Sequence, residues 1–177
     1  HTLKTSGRYA ERSERWRDEL PWYLLIDEAG SGKTRLLAAS GLPFPLDRVE
    51  PSSTGQTRYC DWYFADDAVL VDTAGRYLTQ PDGAVDAAGW LTLLRLLRAR
   101  RQVRPLNGVV VTLSMETLVG SHPLDLDHHA RHIHTRLQEI QQTLHVDVPI
   151  YLVLTQADRL TGFAEYFDSP QADAAED

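Results

Sequence analysis

The sequence predicts an α/β fold with a mostly parallel sheet and helices on both faces. Two observations predict it. Short apolar runs alternate with segments whose apolar residues recur at helical spacing. Three polar motifs, Gly30–Thr34, Asp72–Gly75 and Thr155–Asp158, each follow an apolar run. In parallel sheets, ligands sit at the carboxyl ends of the strands.

Residues 1–19 read as a polar N-terminal extension, with 8–19 as a surface helix. The first strand is 22–26, followed by a short helix over 34–40 with Gly41 as its C-terminal cap. Residues 42–58 hold three prolines, one glycine and Ser52-Ser53-Thr54, and so form a long irregular segment. Such a loop inside a compact domain is usually functional. Residues 61–64 and 68–71 form a hairpin around Asp66-Asp67. Trp90, Leu93, Leu94 and Leu97 share one face of a helix over 87–101, with Arg95, Arg98 and Arg101 off it. Together with Arg100 and Arg104 these arginines suggest a solvated basic face rather than a site for an anionic partner or lipid head groups. Residues 109–113 form a strand. Leu126, Ala130, Ile133, Leu137, Ile140 and Leu144 mark the apolar face of a second long helix, and 149–154 reads as a further buried strand. The domain spans 20–167, and 168–177 is an acidic linker.

With 177 residues, 42% apolar and 24% charged, the chain is one ordinary globular domain. A net charge of −7 argues against nucleic acid as a partner. The single cysteine, Cys60, allows no internal disulfide and suggests an intracellular setting. No run approaches the length of a membrane span. A start at His1 without Met and an acidic end suggest a piece of a longer protein.

Gly30-Ser31-Gly32-Lys33-Thr34 after a strand is the setting of a phosphate-binding loop. Of eighteen basic residues only Lys4 and Lys33 are lysines, and a compact ammonium suits a tight loop better than a guanidinium. Backbone N–H groups from Ala29 through Gly30, Ser31, Gly32 and Lys33 to Thr34 would face a β-phosphate, with Arg35 next in the chain. Lys33 would bridge β- and γ-phosphates, and the Thr34 hydroxyl would bind Mg²⁺. Asp72 would hold Mg²⁺ directly or through water, and the Gly75 N–H would meet the γ-phosphate. Asp in a turn is also common without any ligand. Asp158 would accept two hydrogen bonds from guanine, with Thr155 and Gln156 beside it; a loop cap without base contact is the competing reading. His128, His129, His132 and His134 cluster on one helix. The pair His128 and His132 has metal-ligand spacing, but a solvated face is the expectation.

Several elements occur in a telling order: 20–24, the loop through Lys33-Thr34, Cys60-Asp61-Trp62-Tyr63-Phe64, Asp72-Thr73-Ala74-Gly75-Arg76-Tyr77, Pro105-Leu106-Asn107-Gly108, Thr155-Gln156-Ala157-Asp158 and Gly162-Phe163-Ala164-Glu165. Together they resemble the cytoplasmic nucleotide-binding domain of the IcmF/TssM family, large inner-membrane proteins of type VI secretion systems. The resemblance implies a GTPase-like P-loop NTPase domain that takes Mg²⁺ with GTP or ATP and sits on the cytoplasmic face of the bacterial inner membrane. It implies partners among the membrane-complex and baseplate proteins, and membrane contact only through other parts of the parent protein. A P-loop module of catalytically inactive, docking type is the alternative.

The chain departs from that pattern at defined points. Asp27 stands where the loop usually begins with Gly. A carboxylate about 6 Å from a phosphate costs roughly 3 kcal/mol at an effective dielectric near 20, on the order of a hundredfold in affinity. Asp27 would otherwise pair with Lys33, or turn to solvent or cap the next turn. Arg76 occupies the place of the glutamine that orients water in Ras-like proteins; it would stabilise γ-phosphate charge or pair with an acidic neighbour. Thr54 and Thr57 lie where a first switch supplies a Mg²⁺-binding threonine, and Thr57 is the choice. Little room remains after Asp158 for a last strand and helix.

Overall fold

A computed structural model describes residues 19–28, 30–42, 59–65 and 67–167. The expected helix at 8–19 (save its last residue), the choice between Thr54 and Thr57, Ala29, Asp66 and the acidic linker lie outside the described residues.

Five strands form one sheet in the order β2-β3-β1-β4-β5. They are β1 (Trp22–Ile26), β2 (Cys60–Phe64), β3 (Val69–Thr73), β4 (Gly108–Ser114) and β5 (Ile150–Thr155). β1 is central and parallel to both neighbours: Leu24 lies beside Val71 on one side and Val109 on the other. β2 runs antiparallel to β3, because a tight hairpin can only reverse the chain. The helices are α1 (Lys33–Ala39), α2 (Arg76–Thr79), α3 (Gly83–Arg100), α4 (Met115–Gly120), α5 (Pro123–Leu144) and α6 (Phe163–Phe167). Gly41, with φ of 67°, ends the first of them as expected. The four-residue α2, the six-residue α4 and the five-residue α6 are additions, too short to show a period.

The two sheet faces are covered unequally. Leu24, Ile26, Val71, Val109 and Val111 pack against Trp90, Leu94 and Leu97 of α3 and Ile140 and Leu144 of α5. On the other face Leu25 and Leu70 meet Leu37 of α1 in a much smaller cluster. Removing apolar side chains from water at about 25 cal/mol per Å² makes the α3–α5 face the main source of stability.

Three expectations are corrected. The strand at 150–155 is not buried: Ile150, Tyr151, Leu152 and Leu154 are each about half exposed. Among the described residues it is an edge strand, paired only with β4, and an apolar run cannot report whether a second neighbour exists. The buried stripe of α5 does not begin at Leu126 and Ala130 but runs through His129, Arg136, Ile140 and Leu144. Arg101 is not on a solvated face either; it is 1% exposed. Its guanidinium donates to the Leu20 carbonyl at 3.0 Å and lies 4.8 Å above the Trp22 ring. It is the C-terminal cap of α3, and its contacts with Leu20 and Trp22 hold its side chain away from solvent.

Asn107 fixes the entry to β4. Its side-chain oxygen accepts from the Trp22 N–H at 2.9 Å, and its own N–H donates to the Trp22 carbonyl at 2.8 Å. The next residue is Gly108, flanked by Tyr23 and Tyr151, whose rings meet edge-on. A Cβ at Gly108 would lie 2.9 Å from ring atoms of both tyrosines. Gly108→Ala should therefore destabilise the domain by roughly 1–3 kcal/mol through overpacking. A thermal melt should read this as a fall of several degrees, and an unchanged midpoint would show that the tyrosine pair moves aside without cost.

Candidate functional site at the carboxyl end of the sheet

β1 ends at Ile26, and the chain turns through Asp27, Glu28, Gly30, Ser31 and Gly32 into α1. Gly30 and Gly32 have φ near 89° and 88°, in the left-handed region that side chains with a Cβ rarely enter. This conformation explains why the turn needs glycine at both positions. A Cβ at Gly30 would meet nothing within 4 Å, so the turn is open on that side. Ser31 is buried and its hydroxyl pairs with that of Thr112 on β4 at 3.1 Å.

Lys33 is 6% exposed. Its ammonium donates to the carbonyls of Asp27 and Glu28, each at 3.2 Å, folding back over the turn that precedes it. Burial pulls its pKa below the ordinary lysine value, and the charges of Asp72, Asp27 and Glu28 oppose that fall. Asp72 is fully buried on β3, in register with Leu25 of β1. The structure thus brings Lys33 and Asp72, separated by 39 positions in the chain, within electrostatic reach at adjacent strand ends. Arg35 is exposed on α1, and the backbone of Thr34 belongs to the first turn of that helix.

Gly75 and Arg76 follow β3, and Gly75 precedes α2 with an ordinary right-handed φ of −56°. Arg76 takes the second of its two expected roles. Its Nε lies 3.4 Å from Asp86, and its guanidinium sits over the rings of Tyr59 and Tyr77. Asp86 is 3% exposed and also accepts from the Asp82 N–H at 3.0 Å, which fixes the first turn of α3.

The third motif grips the loop. The Thr155 hydroxyl donates to the Ser31 carbonyl. The Gln156 amide donates to the Gly30 carbonyl at 2.8 Å and accepts from the Ser114 hydroxyl at 2.9 Å. Gln156 itself has φ of 57°. Asp158 is exposed in the 3₁₀ turn Ala157–Arg159. Thr155 and Gln156 thus bind the backbone of the loop, while Asp158 stays exposed beside them.

Asp27 departs from two of its expected readings. It is 2% exposed, so it does not turn to solvent. Its carboxylate does not take Lys33, which bonds its backbone carbonyl instead. One carboxylate oxygen accepts from the Glu28 N–H at 2.7 Å, so it does cap the next residue, and the other accepts from Thr112 at 3.3 Å. The contact that the sequence did not reveal is His129 of α5, whose Nε2 lies 3.3 Å from Asp27 and Nδ1 3.0 Å from Glu28. Both are close ionic contacts with the N–H directions off the carboxylate oxygens. His129 is therefore not on a solvated face. Its position four residues before Ile133, seven before Arg136 and eleven before Ile140, in the buried stripe, was the available signal. His128 and His132 face each other edge-on with ring centres 6.0 Å apart. Among the described residues no group of three or more His, Cys, Asp or Glu gathers as a metal site. A polar cleft of about 190 Å³ opens beside the loop, lined by Asp27, Glu28, His129, Ser114, Glu116 and Arg159 among others.

These features define a class: an α/β domain with a glycine-rich, lysine-bearing loop at the carboxyl end of its central strand. The particular family comes from the comparisons. The IcmF-related N-terminal domain family matches residues 83–177. A type VI secretion system component, TssM1 of Pseudomonas aeruginosa strain PAO1, is 47% identical over 156 residues, covering 85% of this chain and 14% of that protein. The chain belongs to the IcmF/TssM family of type VI secretion components, and it spans about 14% of the length of that relative. Among solved structures it is similar to an ADP-ribosylation-factor-like GTP-binding protein, the small coat GTPase SAR1 of Encephalitozoon cuniculi, in complex with GDP. That match has 14% identity and a TM-score of 0.30, over 88% of this chain and 77% of the other. No helix among the described residues is long and apolar enough to cross a membrane.

Proposed function

We propose that the chain is the nucleotide-binding P-loop domain of a type VI secretion membrane-complex protein, on the cytoplasmic face of the inner membrane. The observation that carries this reading is Lys33. It is a buried ammonium at a double left-handed glycine turn, with the buried Asp72 carboxylate at the neighbouring strand end. A buried lysine held by two backbone carbonyls and facing carboxylate charge is poised to exchange those carbonyls for phosphate oxygens. Mg²⁺ is typically bound by one or two carboxylates together with substrate phosphates; Asp72 would supply that carboxylate, and Thr34, by its place in the motif, would be the second protein ligand. The metal would neutralise phosphate charge. Lys33 would orient the phosphates, and the glycine turn would let backbone N–H groups approach them.

A specific observation favours weak turnover. Arg76, the residue after the Asp72–Gly75 motif, is tied to Asp86 and stacked on Tyr59 and Tyr77. Thr155 and Gln156 are engaged with the loop backbone. The domain would then act mainly as a nucleotide-responsive docking module for membrane-complex and baseplate proteins, with slow hydrolysis of GTP or ATP. Titrating the 177-residue chain with fluorescently labelled GTP and ATP, with and without Mg²⁺, tests the reading. Saturable binding strengthened by Mg²⁺ is expected. Absence of binding at about millimolar nucleotide, far weaker than most nucleotide sites, leaves only a docking module.

A further inference from the structure

A carboxylate at the first position of an anion-binding loop should oppose the anion, yet Asp27 is buried there and well satisfied. The Glu28 N–H and the Thr112 hydroxyl donate to it, and the His129 ring lies 3.3 Å away in close ionic contact. Of these groups only His129 can carry a positive charge, and it comes from a different element, 102 positions along the chain. Its second ring nitrogen faces Glu28. An imidazole with a carboxylate at each nitrogen is held as the doubly protonated cation, because the neutral ring would turn a lone pair towards one carboxylate.

We propose that His129 is a positioning residue for the phosphate loop: its imidazolium neutralises Asp27, ties the loop to α5, and makes a carboxylate at that position compatible with anion binding. The ligand arm of this proposal rests on the nucleotide-binding reading; the charge pair does not. The ring is 9% exposed. Asp27 beside it is the largest influence and raises its pKa above the ordinary 6.5; burial opposes the rise and Glu28 adds to it. From the loop, Asp27 and Glu28 face the ring; across the cleft lies the Arg159–Glu116 pair, 3.1 Å apart, on the 3₁₀ turn and α4. The folded-state pKa lies above the unfolded one. The latch is therefore fully present below about pH 6.5 and lost as pH rises through the folded-state value.

Two measurements on the 177-residue chain test it. In an imidazole NMR titration without ligand, the His129 signal should titrate above the ordinary histidine range in wild type and fall back in Asp27→Asn. Amide exchange of the loop should quicken in His129→Gln and, in wild type, above the His129 transition. Second, labelled GTP and ATP should bind wild type more weakly above that transition, by between about tenfold and a hundredfold for one uncompensated charge. His129→Gln should be weak at every pH. Asp27→Asn should lose the pH dependence, and Asp27→Asn combined with His129→Gln should recover wild-type affinity. Titration of His129 in the ordinary range, or a double variant no better than His129→Gln, overturns the proposal. No binding by any variant, with the shifted titration intact, overturns the nucleotide reading and supports the charge pair as a loop latch.

Discussion

Lys33→Met is expected to weaken GTP and ATP binding by on the order of a hundredfold or more while leaving the domain folded. Truncating one partner of a buried, hydrogen-bonded charge pair typically costs about 2–5 kcal/mol in binding. Stability responds differently. Removing the buried ammonium ends its desolvation cost but also takes a cation from beside the buried Asp72 carboxylate, and breaking a buried charge pair from one side is destabilising. The Asp27 and Glu28 carbonyls also lose a donor, at roughly 1–3 kcal/mol where water cannot replace it. The melting temperature should therefore fall by several degrees. Nucleotide titration and a thermal melt on the same sample check both halves. Retained affinity in Lys33→Met would separate this loop from phosphate altogether.

The second large effect concerns the fold. Trp90→Ala should destabilise the domain by about 3–5 kcal/mol, the usual range for deleting a buried large aromatic. Trp90 is wholly buried on α3, with the Tyr77 ring centre 6.1 Å away and strands β1, β3 and β4 in the same cluster. Its indole N–H has no hydrogen-bond partner among the described residues. Trp90→Phe therefore loses volume but sheds an unsatisfied donor, and should cost less than half as much. Urea unfolding of the three proteins separates these terms. Equal losses for Phe and Ala would mean that the indole N–H matters more than its packing.

Strands β1 to β4 and the long helices were legible because each carries a local period or an apolar run bounded by turn residues. The Trp90–Leu97 stripe is an instance, buried as its spacing demanded. The gathering of polar motifs at the ends of β1, β3 and β5 was legible because each motif follows its strand directly. What escaped was decided by partners distant in sequence. β5 reads as buried from composition, and its exposure follows from its place beside β4 alone among the described strands, which its own residues do not encode. Arg101 looks like one more surface arginine until the chain folds Leu20 and Trp22 against it. His129 sat among three other histidines, and its meaning depends on two acids more than a hundred positions earlier.

The grip of Thr155 and Gln156 on the loop carries a mechanical consequence. Two side-chain hydrogen bonds fasten the carbonyls of Gly30 and Ser31 to the end of β5, and the 3₁₀ turn begins one residue later. A shift of the loop backbone must either break these bonds or drag Gln156 with it. Gln156 also holds Ser114, the residue that caps α4. A shift in the six-residue turn 27–32 is thereby transmitted to two surface elements outside the loop.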